Sequence, residues 1–307
     1  MTAEVVSIAS WNVDLIAHVP GPPAVGQTVL ASHFERLPGG KGSNAAVAAA
    51  RQGAQVALVA RIGGDDFGAM GLALWAQEGI DTRHVERDEQ RPNGTALIWV
   101  YPDGKNSIAV YPGASAALGP EQVLRARSLI SGARVVMASC EVPLAATQEA
   151  FRIARSQAVR TLLNPAPAMP MPDSLWPWID VLTPNEGELR ELSGCDDADA
   201  GAQVLLARGV GAVVVTLGAR GCRLYRPGQA PLSQAGHAVQ VIDTIGAGDA
   251  FNGALAAAFA RGLGWPQALN CANAAAALST TAAGAVAGLP TLLQVRHGLA
   301  GPEAPAD

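Results

Sequence analysis

The stretch GGKGSNAAVAAARQGAQVALVA, residues 39–60, decides the fold class of this 307-residue chain. Its glycines lead into an alanine-rich helical pattern at 44–53, and a continuous apolar segment follows at 56–60. A strand that is apolar without alternation is buried on both faces, which is typical of a parallel sheet covered by helices. The stretch therefore predicts an α/β fold.

The same alternation recurs along the chain. The predicted strands are 5–9, 56–60, 133–139, 159–164, 180–184 and 211–217. The predicted helices between them are 44–53, 67–79, 121–130, 144–157 and 202–209. This order predicts a doubly wound, mainly parallel central sheet with helices on both faces. In such folds the functional residues collect at the carboxyl ends of the strands.

Two segments interrupt this rhythm and predict a small separate β-sheet. Residues 11–38 are rich in proline and carry little helical pattern, and residues 94–111 indicate a hairpin that turns at 102–104. Such a sheet would serve as a lid over a site or as a dimer contact. We expect one domain over residues 1–300 and a frayed tail at 301–307.

The composition restricts the classes of partner. Apolar residues make up 49% of the chain and charged residues 15%, with a net charge of −5, which predicts a globular protein that binds neither nucleic acid nor membrane. The four cysteines are widely spaced, and the N-terminus has no basic segment followed by a long apolar one. We therefore expect reduced thiols, no signal peptide and a cytoplasmic protein.

A second glycine-rich stretch, DTIGAGDAFNG at 243–253, follows a segment at 237–243 that alternates like a strand, and it leads into an apolar helical pattern. Backbone N–H groups and the helix dipole stabilise negative charge at such a helix start. A phosphoryl group in transfer carries that charge, and Asp249 beside it could accept the proton of an attacking hydroxyl. The alternative is an ordinary acidic residue in the first turn of a helix.

The two glycine-rich stretches match neither common nucleotide loop. GGKGSN has no GK[ST] element, and Phe251 occupies the position of the third glycine of a dinucleotide fingerprint. Lys41, Ser43 and Asn44 nevertheless gather three hydrogen-bond donors at one helix start. A plain tight turn is the competing interpretation.

Other polar residues follow predicted strands. Asn12 and Asp14 alternate onto one face after the first strand, and Glu141 follows the strand at 133–139. Asn185 and Glu188 stand three apart at a helix start, where they could hold hydrated Mg²⁺ or form a cap. TLGARG, at 216–221, has glycines that allow close approach of a ligand to the backbone.

Taken in order, these motifs resemble the ribokinase-like (PfkB) carbohydrate kinase family. The two signatures are GGKGSNAAVAAARQGAQVALVARIGGDDFG at 39–68 and DTIGAGDAFNGALAAA at 243–258. NPAP, TPNEGE and TLGARG lie between them, and the resemblance covers about residues 5–295. PGASAAL at 112–118 is similar to the ribokinase branch, which implies ATP-dependent conversion of D-ribose to D-ribose 5-phosphate.

The resemblance also implies roles for individual residues. The sugar would be bound by Asn12, Asp14, Gly40, Lys41, Gly42, Asn44, Glu141 and Asp249. Asp249 would be the catalytic base, and Gly246, Ala247 and Gly248 would form an anion hole. ATP would contact Asn185, Thr216, Leu217, Gly218, Ala219, Arg220, Gly221, Gly248 and Asn273.

Two kinds of cation are implied as well. Asn185 and Glu188 would order Mg²⁺ through water or phosphate. An activating K⁺ would be held near Asp243, Ile245, Ser279, Ala282, Gly284 and Gly288, largely by main-chain oxygens. Gly288 replaces a usual Ser or Asn there, so K⁺ dependence is a weaker implication than kinase activity. The lid resembles a sheet through which the family forms homodimers.

Two other functions remain open at this point. A fructokinase or a nucleoside or pseudouridine kinase would share the fold, and a nucleoside base would need an apolar wall, for which Trp11, Trp99 and Tyr111 are candidates. A sugar-binding regulator without catalysis is a different class. That class would be expected to lack Asp249 or the glycines before it, and both are present.

Overall fold

The computed structural model describes residues 3–300, so the predicted tail at 301–307 lies outside the described residues. The strands are β1 Val5–Ala9, β2 Asn12–His18, β3 His33–Gly39, β4 Val56–Gly63, β5 Asp81–Asp88, β6 Gly94–Val100, β7 Asn106–Tyr111, β8 Val135–Ser139, β9 Arg160–Asn164, β10 Val181–Leu182, β11 Val213–Thr216, β12 Cys222–Tyr225 and β13 Leu232–Gln234. The helices are α1 Lys41–Arg51, α2 Asp66–Gln77, α3 Pro120–Arg125, α4 Arg127–Ser131, α5 Leu144–Arg155, α6 Glu186–Ser193, α7 Ala198–Ala207, α8 Ala247–Ala260, α9 Trp265–Ser279 and α10 Leu292–Ala300.

Nine strands form the central sheet, in the order β13-β12-β11-β10-β9-β8-β1-β4-β5. All neighbouring pairs from β11 to β5 are parallel, and β12 and β13 add an antiparallel edge. Successive strands run outward in opposite directions from β1 and β8. This is the switch point of a doubly wound sheet, where a crevice opens at the carboxyl ends of the strands.

Helices cover both faces of this sheet, as predicted. Side chains of α1, α8 and α9 pack on one face, and side chains of α5 and α7 pack on the other. The strands between them are apolar throughout because successive side chains point to opposite faces and both faces are buried.

Small residues let α1 and α8 lie side by side. A Cβ on Gly253 would stand 2.3 Å from the carbonyl oxygen of Ala45 and 2.5 Å from Cβ of Ala48. The alanine-rich sequences of both helices are thus explained by their close contact. The consequence for the site is that the N-termini of α1 and α8 open at the same edge of the sheet.

The second sheet has four strands, in the order β3-β2-β6-β7. It is built from the two segments that interrupt the α/β rhythm, and the hairpin between β6 and β7 turns at Gly104, whose φ is +81°. The predicted small β-sheet is therefore present.

Two local predictions are wrong. Residues 237–243 form no strand: the N–H groups of Ile242 and Asp243 donate to the carbonyl of Thr280, at the end of α9, instead of to a strand. The apolar side chains of Val241 and Ile242 are exposed, so alternation there reflects no buried face. The predicted helix at 121–130 is divided into α3 and α4 at Ala126.

Between residues 3 and 300, none of the helices has both the length and the apolar character that crossing a membrane requires.

Candidate functional site

The candidate site lies where β1 and β8 end and where α1 and α8 begin. Asp249, in the first turn of α8, is buried, and its Oδ2 accepts a hydrogen bond from Nδ2 of Asn44 in α1, at 2.9 Å. Two residues predicted from separate motifs, 205 positions apart, are therefore in direct contact.

The backbone directly before Asp249 is open at Gly248, whereas a Cβ built on Gly246 would stand 2.8 Å from Cα of Ala285. Gly246 caps α8 with φ +81°, a left-handed conformation that glycine adopts readily. Gly248 is exposed, and a Cβ built on it would meet nothing within 4 Å outside its own turn. The N–H of Ala247 donates to the carbonyl of Thr244 at 3.3 Å, and Gly248 has free space beside it. N–H groups at a helix start of this kind suit an anion.

Charge around Asp249 is concentrated. Burial raises its pKa to about 6, partly offset by the charge of Lys41 and the bond from Asn44. Burial opposes the charge of Lys41, but Asp249, Glu141, Glu188 and Asp14 together raise its pKa above the usual value. The charge of Lys41 thus interacts with those of four carboxylates.

A side chain of the protein, that of Glu141, already binds a backbone N–H group at the start of α1. Oε2 of Glu141 accepts from the backbone N–H of Lys41 at 2.8 Å and from Oγ of Ser10 at 2.6 Å. A Cβ on Gly42 would stand 2.6 Å from Cα of Ala9, so glycine is required for α1 to reach β1. Gly40, with φ +92°, is likewise packed against Ser10 and Trp11.

Asn12 and Asp14 share one face of β2, as predicted, and two glycines make room for them. A Cβ on Gly94 would stand 2.1 Å from Oδ1 of Asn12, and a Cβ on Gly39 would stand 2.4 Å from Oδ1 of Asp14. Burial and the charge of Glu141 raise the pKa of Asp14 to about 6. The buried Oδ1 atoms of Asn12 and Asn44 have no hydrogen-bond partner, so they are available to a polar ligand.

The predicted nucleotide-binding segments lie at the ends of β10 and β11. Asn185 pairs with Thr216 in an isolated bridge, and Gly218 begins an exposed turn with φ +58°. Gly221 packs on the end of β13 and on the residues that follow it. The carbonyls of Gln234 and Ala235 there accept from Nδ2 of Asn273. Asn273 therefore holds this loop in place by its amide donor. Leu217, Ala219 and Arg220 complete the turn, and Arg220 forms an ion pair with Glu186.

Asn185 and Glu188 form a reciprocal cap on α6. Oδ1 of Asn185 accepts from the N–H of Glu188 at 2.8 Å, and Oε2 of Glu188 accepts from the N–H of Asn185 at 2.9 Å. The capping interpretation of this pair is therefore confirmed. Burial raises the pKa of Glu188, and its charge acts on Lys41, so the same carboxylate also faces the site.

The residues predicted around a monovalent cation converge as well. Oδ1 and Oδ2 of Asp243 accept from the N–H groups of Ile245 and Gly284, both at 2.9 Å. The position that a Cβ on Gly288 would occupy lies 2.4, 3.3 and 3.4 Å from the carbonyl oxygens of Ser279, Gly284 and Ala282. Three main-chain oxygens thus lie close to Gly288, and that of Gly284 accepts from the N–H of Gly288 at 3.1 Å.

The three aromatic candidates for a nucleoside wall lie elsewhere. Trp11 is 0% exposed and donates from Nε1 to the carbonyl of Phe67 at 2.9 Å, so it belongs to the core beneath α2. Trp99 pairs with Ala17, and Tyr111 shares a row with Val13. Side chains alternate between the two faces of a sheet from one residue to the next along a strand. Val13 and Ala17 therefore lie on the opposite face from Asp14, and so do the rings of Tyr111 and Trp99 that share their rows.

Sequence reasoning missed four residues that hold the site together. Ser10 orients Glu141, Gly39 makes room for Asp14, and Thr183 bonds to Asn252. The signals were weak: Thr183 precedes the NEGE motif, and Asn252 interrupts the apolar run of α8. A buried amide in a helix that is otherwise apolar was the clearest of these signals.

The chain is similar to known proteins over nearly its whole length. The sequence model for pfkB family carbohydrate kinases matches residues 2–292. Ribokinase from Haemophilus influenzae is 37% identical over 289 residues, 92% of this chain and 94% of its own length. Ribokinase from Mus musculus is 37% identical over 94% of this chain and 92% of its own. The structure of Arabidopsis thaliana ribokinase complexed with ribose and ATP superposes with a TM-score of 0.93, at 30% identity, over 97% of this chain and 99% of that one.

Proposed function

The chain belongs to the pfkB family of carbohydrate kinases, and from that premise we propose that it transfers the γ-phosphoryl group of ATP to the primary hydroxyl of D-ribose. The observation that carries the proposal is the buried contact between Asn44 and Asp249 beside the open start of α8. The similarity to ribokinases, one of them in complex with ribose and ATP, supports ribose as the acceptor and ATP as the donor.

Asp249 acts as the general base. Its pKa of about 6 leaves it deprotonated at neutral pH, yet closer to neutrality than an ordinary aspartate, which favours acceptance of a proton in the transition state. Asn44 bonds to one carboxylate oxygen and so fixes the direction of the other. The hydroxyl of the sugar donates its proton there as its oxygen attacks phosphorus in line.

The N–H groups of Gly246, Ala247 and Gly248 stabilise the charge that develops on the transferred group. The dipole of α8, a helix of 14 residues, adds to them. Lys41 supplies the neighbouring positive charge, held by the surrounding carboxylates.

The sugar hydroxyls are bound by the polar residues on β2 and α1. The unpartnered Oδ1 atoms of Asn12 and Asn44 accept from them, and the carboxylate of Asp14 accepts a further pair. Gly40 and Gly42 bring the backbone close, and Glu141 holds the N–H of Lys41 so that the loop keeps its shape. Carboxylates and amides at this density suit a small polyol.

ATP occupies the groove between the start of α8 and the turn at 216–221. Gly218 and its neighbours allow close approach of the base and ribose, and Asn273 fixes the facing loop. Mg²⁺ supplies charge neutralisation on the phosphates when bound. The helix cap uses Oδ1 of Asn185 and Oε2 of Glu188. Glu188 would therefore order the ion through water or phosphate with its other oxygen, Oε1, and Asn185 with the second lone pair of Oδ1.

An activating K⁺ fits the carbonyls of Ser279, Ala282 and Gly284, with Asp243 beside them. Carbonyl oxygens are the ligands that such a hard cation prefers. Asp243 and Ile245 precede Gly246 directly, so a cation there would stiffen the loop that enters the anion hole. The absence of a side chain at Gly288 leaves this cage to the main chain.

The small sheet is proposed as a lid and as a homodimer contact within a single cytoplasmic kinase domain. Its edge strand β7 is exposed along its length, and Ile108 and Val110 are 55% and 60% exposed on the face that also carries Asp14. An apolar surface of this kind is more often covered than left in water. Sedimentation of the wild type and of Ile108→Asp tests it: the dimer should dissociate in the variant.

A nucleoside acceptor is disfavoured because Trp11, Trp99 and Tyr111 do not face the sugar residues. A silent regulator is disfavoured because Asp249 and the open glycines are intact.

Sugar-dependent ADP release tests the proposal. D-ribose, 2-deoxyribose, D-fructose, adenosine and pseudouridine should be compared with ATP and Mg²⁺, with and without K⁺. We expect fast turnover on ribose and stimulation by K⁺. Turnover on adenosine or pseudouridine alone would overturn the assignment of the acceptor, and no ADP release with any acceptor would overturn the kinase activity.

A further inference from the structure

A buried chain of hydrogen bonds joins the end of β10 to the first turn of α8. Oγ1 of Thr183 donates to Oδ1 of Asn252 at 2.6 Å, and Nδ2 of Asn252 donates to the carbonyl of Gly248 at 2.8 Å. Thr183 is 1% exposed and Asn252 is 3% exposed. The chain therefore ends on the exposed glycine at the start of α8, and its bond between Thr183 and Asn252 is buried.

Thr183 is itself fixed to the sheet. Its N–H donates to the carbonyl of Leu163 at 3.0 Å, and its carbonyl accepts from Nδ2 of Asn164 at 3.1 Å. The next residue, Pro184, accepts from the N–H of Thr216 at 2.9 Å. One short loop thus connects β9, the nucleotide-side strand β11 and the first turn of α8.

The first turn of α8 needs such a restraint. Gly246 and Gly248 have no side chains to pack, and Gly248 has open space beside it. The carbonyl and the following N–H of one peptide lie in one plane and point in opposite directions. A bond to the carbonyl of Gly248 therefore fixes the peptide between Gly248 and Asp249. It also restrains Gly248 itself, whose own N–H is the last of the three in the proposed anion hole.

We propose that Thr183 and Asn252 are positioning residues that hold the anion hole in its productive geometry, through the carbonyl of Gly248. This inference deepens the proposed function and rests on it. Asn44 positions the carboxylate of Asp249 from α1, whereas Thr183 and Asn252 position the peptide beside it from the sheet. Base and anion hole are held by separate amides.

The competing explanation is that the chain merely satisfies a buried amide. Thr183→Val removes the hydroxyl with little change of shape, and Thr183→Ser keeps it. Thr161→Val is the matched control, because Thr161 is also a buried threonine, 0% exposed, whose Oγ1 donates at 2.6 Å, to the carbonyl of Trp178. Thr161 lies near the amino end of β9, whereas the site lies at the carboxyl ends of the strands.

We expect Thr183→Val to lower kcat about tenfold, since a misdirected donor weakens the transition state more than the bound sugar. The KM for ribose should stay within about twofold of the wild-type value. The midpoint of the kcat–pH profile should not move, because the base keeps its hydrogen bond from Asn44. Thr183→Ser should remain within about twofold of the wild type, and Thr161→Val should lower the Tm without lowering kcat.

Hydrogen exchange of the peptide over 243–253 gives a readout that needs no turnover. It should become faster in Thr183→Val and stay unchanged in Thr161→Val. Unchanged exchange, or equal losses of kcat in Thr183→Val and Thr161→Val, would overturn the positioning role. An inactive wild type with the expected exchange pattern would instead overturn the proposed function alone. If Thr183→Val does not fold, Asn252→Ser replaces it in the same comparison.

Discussion

The chain begins two helices with glycine-rich turns, and the two helix starts have different surroundings. At α1, the N–H of Lys41 already binds Glu141, and Gly42 is pressed against Ala9. At α8, Gly248 is exposed and faces open space. Glycine serves close packing of the chain on itself in the first case and access for a ligand in the second. This difference is the reason why we propose that the transferred phosphoryl group binds at α8 and the sugar at α1.

The largest expected effect is that of Asp249→Asn. Without a base, kcat should fall by a factor of about 10² or more, while the dissociation constant for ribose should change little, because Asn keeps a polar side chain of the same size. Rapid-quench or coupled kinetics and calorimetry measure the two. Asp197→Asn is the control, since Asp197 caps α7 by accepting from the N–H of Ala200 and lies on another helix start. Full turnover in Asp249→Asn would remove Asp249 as the base.

Adding one methyl group at each helix start tests the difference between the two glycine-rich turns directly. Gly248→Ala should lower kcat about tenfold, because the methyl enters the anion space, and it should not lower the Tm, because alanine favours a helix by about 0.5–1 kcal/mol over glycine. Gly42→Ala should cost about 1–3 kcal/mol of folding free energy through overpacking against Ala9. Thermal unfolding and kinetics of both variants decide this. Loss of stability in Gly248→Ala with normal kcat would reverse the assignment of the two glycines.

The next largest effect is expected in the acid limb of the kcat–pH profile, the fall of kcat below neutral pH, which reports on Asp249 at the start of α8. The pKa of Asp249 is raised to about 6 by burial, so the base is protonated as the pH falls through that value and kcat should drop about tenfold per pH unit below it. Asp14, whose pKa is also raised to about 6, affects sugar binding over the same range. The measurement is therefore made at saturating ribose. Asp14→Asn should retain an acid limb but move it to lower pH, because the charge of Asp14 is one cause of the raised pKa of Asp249. A flat kcat between pH 7 and 5 would contradict the assignment.

The smallest effect is expected for Glu141→Gln. The amide oxygen still accepts from Lys41, so the loop should persist, but the lost charge should raise the KM for ribose about two- to fivefold. Since the charge of Glu141 is one cause of the raised pKa of Asp249, the acid limb of kcat should also move to lower pH. A limb that stays in place would show that Glu141 does not act on Asp249.

The sequence predicted the family, the α/β architecture and the small sheet, and all three are confirmed. Apolar strands buried on both faces leave a clear pattern, which explains this success. The charged edge strand β5 carries no such pattern and was missed, as were the antiparallel β12 and β13. The alternation at 237–243 predicted a strand that is absent, because no neighbouring strand pairs with it.

The two helix starts show why part of the site was beyond sequence reasoning. Both were recognised by their glycines, but which one is filled depends on Glu141, 100 positions from Lys41, and on Ser10. The chain through Thr183 and Asn252 likewise joins residues 69 positions apart. Such contacts are set by packing, and no local pattern encodes them. The roles given to the site residues stay predictions until they are tested.

A crystal structure with ADP, aluminium fluoride and D-ribose tests the central claim most directly. We predict that the fluoride complex lies on the N–H groups of Gly246, Ala247 and Gly248, at about 2.7–3.1 Å, in line with the primary hydroxyl of the sugar and with Asp249 beside that hydroxyl. A fluoride complex at the start of α1, or one remote from Gly248, would contradict the distinction between the two helix starts.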